Sequence, residues 1–114
     1  MLNLNFPFRL PSWNEVINKD RTNRFLGAKL KKEVQSQVIL FLRLQNAPKL
    51  IKVNKLTFTF TSPNTRRDLD GFCIKPVLDG FVEYRLIEDD SVKFINNIEF
   101  KWKKGEDSFC VEIS

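Results

Sequence analysis

The run from Val53 to Thr61 alternates almost without a break: Leu56, Phe58 and Phe60 fall on one side, Thr57, Thr59 and Thr61 on the other. A two-residue period belongs to a strand, because successive side chains leave opposite faces of the pleat. Phenylalanine and threonine both suit that geometry. A strand with so bulky an apolar face cannot stay uncovered. It demands neighbouring strands and a layer packed over them.

The rest of the chain supplies such a layer. From Phe25 to Leu44 the apolar positions Leu26, Leu30, Val34, Val38, Phe41 and Leu42 recur at three- and four-residue steps, which predicts an amphipathic helix ending before Ala47-Pro48. Thr22 or Asn23 is a candidate cap for it. A second helix is expected from Asp70 or Gly71 to about Arg85, with Phe72, Leu78, Phe81 and Val82 inward and Pro76 in its first turns, where a missing N–H costs little. Leu2 to Phe6 alternates as a short strand. Pro11-Ser12-Trp13-Asn14 reads as a turn and 18–24 as a polar loop. Ile98, Phe100 and Trp102 alternate, and so do Phe109, Val111 and Ile113; the intervening Lys104-Gly105-Glu106-Asp107 predicts a hairpin. The expected order is β-α-β-α-β-β. The expected class is α+β, a mixed sheet with helices packed against it, in a single domain over 1–114.

Composition narrows the chemistry. The chain has no histidine, so zinc hydrolase sites and Ser-His or Cys-His nucleophile pairs lose their usual ligand or base. Cys73 and Cys110 have neither metal-ligand nor redox spacing, and no signal peptide or membrane-spanning run is expected. A cytoplasmic chain with reduced thiols follows as the expectation. Charge is unevenly spread. Residues 1–67 hold 13 Lys+Arg against 3 Asp+Glu, residues 68–114 hold 6 against 11, and seven of those acids lie between Asp68 and Asp90.

Asp68 and Asp70 are one residue apart, and Asp89-Asp90 returns about twenty residues later. In extended chain, positions i and i+2 face the same way, so both early carboxylates are expected in one pocket with Leu69 turned to the core. The helix start expected beside them would favour anionic groups. If the strand after Asp90 runs beside Val53–Thr61, Asp90 comes back to the same place. Carboxylates gathered against their own repulsion suit a hard divalent cation. In a basic protein that combination suggests phosphodiester chemistry on nucleic acid.

The stretch Arg66-Arg67-Asp68-Leu69-Asp70-Gly71-Phe72-Cys73-Ile74-Lys75-Pro76-Val77-Leu78-Asp79-Gly80-Phe81, followed by Ile87-Glu88-Asp89-Asp90-Ser91-Val92, resembles the RusA-type Holliday junction resolvases. Their pattern is a basic run, Asp-x-Asp, a helix carrying a lysine and a later aspartate, and then an acidic pair. The opening Pro11-Ser12-Trp13-Asn14 with its basic sequel also looks like that family. There are departures. Gly71 stands where asparagine is usual, Lys75 lies five residues after Asp70 rather than four, and a glycine common before the last acidic pair is missing.

The resemblance implies a homodimeric endodeoxyribonuclease that depends on Mg²⁺, with Mn²⁺ as a possible substitute. It would resolve branched DNA by paired nicks at a four-way junction. Asp68, Asp70 and Asp90 would hold the metal. Lys75 would position water or stabilise charge on the phosphate, and Asp89 would be a further ligand or a support. DNA contacts are expected from Arg66 and Arg67 beside the metal, and from Lys19, Arg21, Arg24, Lys29, Lys31 and Lys32 in the positive half. Trp13 and Phe25 are candidate wedges. Two other readings stand beside this one: a nucleic-acid-binding module that keeps the fold without the activity, and a structural protein whose acidic loop only caps a helix.

Overall fold

The threonine–phenylalanine strand becomes an inner strand of a four-stranded sheet. A computed structural model describes residues 1–23 and 25–114; Arg24 and the side chain of Asp70 lie outside the described residues. The elements are β1 (Leu2–Phe6), α1 (Trp13–Thr22), α2 (Leu26–Leu44), β2 (Leu56–Ser62), a 3-10 turn (Leu69–Gly71), α3 (Lys75–Tyr84), β3 (Ile98–Lys104) and β4 (Ser108–Ile113). The sheet order is β1-β4-β2-β3. β4 runs antiparallel to both β1 and β2, while β3 runs parallel to β2. This is the expected α+β class, with one more helix than expected.

The expected hairpin does not form. β2 lies between β3 and β4, so that Leu56 is opposite Ile98 on one side and Ile113 on the other. The reason is burial. Leu56, Phe58 and Phe60 are almost wholly enclosed, and an edge position would leave them half-covered. The 105–107 link therefore crosses the end of β2. The Gly105 N–H donates to the Ser62 carbonyl at 3.2 Å. A Cβ at Gly105 would lie 2.7 Å from Thr61 Cγ2, so a larger residue at the crossing would have to displace that methyl group.

The additional helix is α1, where a turn and loop were expected. Ser12 and Glu15 form a capping box: Ser12 Oγ accepts from the Glu15 N–H at 3.1 Å, and the Glu15 carboxylate accepts from the Ser12 N–H at 3.4 Å. Arg9 clamps the same carboxylate, with Nη1 2.8 Å from Oε2. Only Val16 of this helix is buried. Its apolar stripe is too thin to reveal it, and the cap marks the helix where periodicity does not.

α2 behaves as expected and buries Val34, Val38 and Leu42 at four-residue steps. Its start has no side-chain cap; Asn23 instead accepts the Phe25 N–H at 3.0 Å. α3 packs on α2 at Gly80, where a Cβ would meet Val38 Cγ1 at 2.9 Å. α3 begins at Lys75, later than expected. Pro76 sits in its first turn as expected, but its ring obstructs any helical turn further upstream. Phe72 consequently lies outside the helix, bridging to Ser12. Arg85 ends α3 in the left-handed conformation, φ 72°. Lys49 Nζ closes the same end by donating to the Tyr84 carbonyl at 2.7 Å.

Helices and the inward sheet face meet in one cluster that joins Leu4, Phe6, Phe58 and Phe60 to Val38, Leu42, Val77 and Phe81. The free edge of β1 is blunted by Gln45 of the α2 end. Its side chain accepts from the Asn5 N–H at 2.7 Å and donates to the Asn5 carbonyl at 2.8 Å, pairing as a further strand would. Among the described residues no helix is long and apolar enough to cross a membrane.

Candidate functional site

Lys75 and Asp90 come together. Lys75 opens α3, and the loop after that helix returns Asp90 to it, with Nζ 2.8 Å from Asp90 Oδ2. Asp79, one turn further along α3, is 3.0 Å from the same ammonium. The hydrogen bond to Asp90, then that to Asp79, push the Lys75 pKa up to about 12. At that value Lys75 carries a positive charge near neutral pH. Asp89 acts on the backbone instead. Its Oδ1 accepts the Asp90 N–H at 2.9 Å and fixes the loop. Asp79 was not among the expected site residues. The signal for it was present in the sequence, since Lys75 and Asp79 have the i,i+4 spacing of helix neighbours.

The Asp68–Asp70 pair departs from expectation. Asp68 is extended, but Leu69–Gly71 is a 3-10 turn, so the two-residue alternation does not apply across them. Leu69 faces outward at 40% exposure rather than turning to the core. The helix start expected beside these carboxylates belongs to a three-residue turn, because α3 begins only at Lys75. The Asp70 side chain lies outside the described residues. Asp68 is exposed and its carboxylate caps nothing. It lines a cleft of about 380 Å³ shared with Arg9, Trp13, Glu15, Arg66 and Asp107. Lys75, Asp79 and Asp90 do not line that cleft. Among the described residues, no three acidic or thiol groups converge as ligands of one ion.

Arg67 is committed to the fold. It donates to the Leu10 carbonyl at 2.8 Å, and its guanidinium lies 4.0 Å over the Phe72 ring. Phe72 itself stacks on Phe60 at 3.9 Å between centroids. Burial pushes the Arg67 pKa down, and nearby Arg9 adds to that. Arg66 is exposed and lines the Asp68 cleft, with its backbone N–H held by Asn64 Oδ1 at 2.8 Å. Lys19 and Arg21 lie exposed in the last turn of α1. Lys29 and Lys32 are exposed on α2, and Lys31 is half-buried. Arg24 lies outside the described residues. Trp13 and Phe25 are exposed at 40% and 66%.

Sequence reasoning missed three charged members of the Asp68 cleft, Arg9, Glu15 and Asp107. Arg9 belongs to no motif of its own, although the Ser12-x-x-Glu15 pattern marks a fixed carboxylate for it to clamp. Asp107 was expected in a remote hairpin turn; the crossing of β2 carries it to this end of the sheet, where its charge acts on both Arg9 and Arg67. The cleft thus sets guanidinium groups beside carboxylates. Arg9 is held by Glu15 and Arg67 by the Leu10 carbonyl and Phe72, which leaves Arg66 as the exposed guanidinium of the cleft. No protein-family model matches the chain, and no curated protein matches it.

Proposed function

We propose that the chain is a Mg²⁺-dependent, structure-selective endodeoxyribonuclease that acts as a homodimer and nicks four-way DNA junctions symmetrically. The observation that carries this reading is the Lys75–Asp90 contact, 2.8 Å long. It ties together the two sequence blocks, 66–81 and 87–92, on which the resemblance to junction resolvases rests. The proposed ligands Asp68, Asp70 and Asp90 are all carboxylates, a donor set that fits a hard cation such as Mg²⁺ or Mn²⁺. When bound, such a cation polarises the phosphate and supplies hydroxide from water near neutral pH.

The chain's own groups have distinct roles in this reading. Asp90, hydrogen-bonded to Lys75, would be one of the residues holding the cation. Lys75, always charged, offsets negative charge that builds on the phosphate oxygens. Asp79 holds the ammonium in place. Arg66 and the exposed Lys19, Arg21, Lys29 and Lys32 meet the DNA backbone, an interaction that weakens steeply with salt. Arg67 acts indirectly, by fixing the segment that carries Asp68. The reading also puts the chain in the cytoplasm, with Cys73 and Cys110 as free thiols.

The deciding experiment incubates the full chain with a labelled four-way junction and Mg²⁺. Paired symmetric nicks are expected, and Asp70→Asn should abolish them while junction binding persists. Full activity in Asp70→Asn overturns the site assignment. A second reading, a binding module without activity, is favoured by the placement of Asp68 in a cleft that Asp90 does not line. It calls for salt-sensitive junction binding with no product in Mg²⁺ or Mn²⁺.

A further inference from the structure

A second cleft, of about 530 Å³, opens where the segment before β2 meets the end of α3 and the loop that follows it. Its walls are mainly aliphatic: Leu50, Ile51, Val53 and Ile87, with Phe94 as the one aromatic ring. Three cations stand around it, Lys52, Arg85 and Lys93, against the single carboxylate of Glu88. All four charged residues are exposed. Among the described residues none of the three cations has an ion-pair partner.

The backbone around the cleft is fixed and strained. Leu50 and Arg85 both hold positive φ, 52° and 72°, without being glycine. They meet each other directly, the Leu50 N–H donating to the Arg85 carbonyl at 2.7 Å, and Ile51 donates to the Leu86 carbonyl at 2.9 Å. The next two residues are different. The N–H groups of Lys52 and Val53 have no hydrogen-bond partner among the described residues. Leu50 is left 58% exposed at the cleft mouth.

We infer that this cleft docks a short acidic peptide segment of a partner protein, one that carries a bulky apolar anchor. The aliphatic walls take the anchor. The three unpaired cations come from separate stretches of chain, so they suit several spaced carboxylates better than one headgroup. A free N–H at 52 or 53 offers an extended peptide a main-chain hydrogen bond. The hydrogen-bonded 50–51 segment limits what must be ordered on binding. A nucleic-acid strand is the poorer fit, because a single phenylalanine among aliphatic groups gives bases little to stack on.

The test uses the full chain and a fluorescein-labelled hexapeptide of four acidic residues ending in leucine and phenylalanine. Saturable binding with Kd below about 100 µM is expected, weakened at least about tenfold by Lys52→Glu with Lys93→Glu and again by Leu50→Asn. These positions are exposed, and asparagine tolerates the positive φ at 50. On the unaltered protein, the amide resonances of Lys52 and Val53 should shift as peptide is added. Absence of those shifts overturns the inference, as does equal binding of an acidic peptide ending in two serines. So does a Leu50-dependent self-association without peptide, which would make the cleft a contact between copies, or preferential capture of a single-stranded oligonucleotide. Asp70→Asn should leave peptide binding unchanged, so this inference and the nuclease reading fail separately.

Discussion

Arg67 and Lys75 lie eight residues apart in sequence and use their charge in opposite ways. Arg67 is half-buried, stacked on Phe72 and bound to the Leu10 carbonyl; burial pushes its pKa down. Lys75 is exposed between two carboxylates, and their hydrogen bonds push its pKa up. The first cation is part of the packing between the sheet and the chain that leads into α1. The second holds nothing together except the acidic groups around it. A desolvated cation must be tied in to be tolerated at all, whereas a solvated one stays free to meet a ligand.

The sharpest way to break this contrast is Arg67→Met. Methionine keeps much of the packing over Phe72 but leaves the Leu10 carbonyl without its donor. The expected cost is about 2–3 kcal/mol, from the lost hydrogen bond and the lost cation–ring contact together. Urea denaturation would measure it. A loss below about 0.5 kcal/mol, the ordinary range for a surface change, would mean that Arg67 is as solvated as Lys75.

Ser12→Ala should cost less, about 1 kcal/mol, because it removes one half of the capping box of α1. The same helix start has a pH signature. The side-chain hydrogen bond from Arg9 holds the Glu15 carboxyl below its ordinary value of 4.5. Its contribution to stability is therefore present above pH 4.5 and fades as pH falls through the lower folded value. Thermal melts across the acid range should show a smaller loss on acidification in Arg9→Ala than in the parent. Equal acid sensitivity would mean that other carboxylates dominate.

What the sequence revealed follows the same division between packing and charge. β2 and α2 were legible because Phe58, Phe60, Val34 and Val38 repeat with the period of their element and are buried on that period. α1 was hidden because its signal is a two-residue cap, not a stripe. The β3–β4 arrangement was hidden because two alternating runs joined by a short link look the same whether they pair directly or straddle a third strand. Only the burial demand of β2, a non-local quantity, decides between them. At the candidate site, Lys75 and Asp90 were named from the sequence, but neither their contact nor the helix start was legible there. Pro76 delays the helix to Lys75, and 69–71 is a separate 3-10 turn with Leu69 outward.

The smallest expected stability effect belongs to Lys75, and that makes it the most discriminating. Lys75→Met should change stability by no more than about 0.5 kcal/mol, because exposed ion pairs are offset by solvation and side-chain ordering. The sign of its pH dependence is fixed by the raised pKa. The contribution is complete below the ordinary value of 10.5 and is lost only as pH rises through about 12. The stability difference between parent and variant should therefore stay flat across the neutral range. Under the nuclease reading, cleavage should behave differently: Lys75→Met should slow it by about 10²–10³, the range for losing one charge-stabilising group. Junction affinity should hardly change. If stability falls with activity, Lys75 is a structural cation like Arg67, and the contrast between the two collapses. If activity alone falls while its neutral-pH profile keeps its shape, Lys75 acts as a fixed charge, and the titrating group of the reaction lies elsewhere.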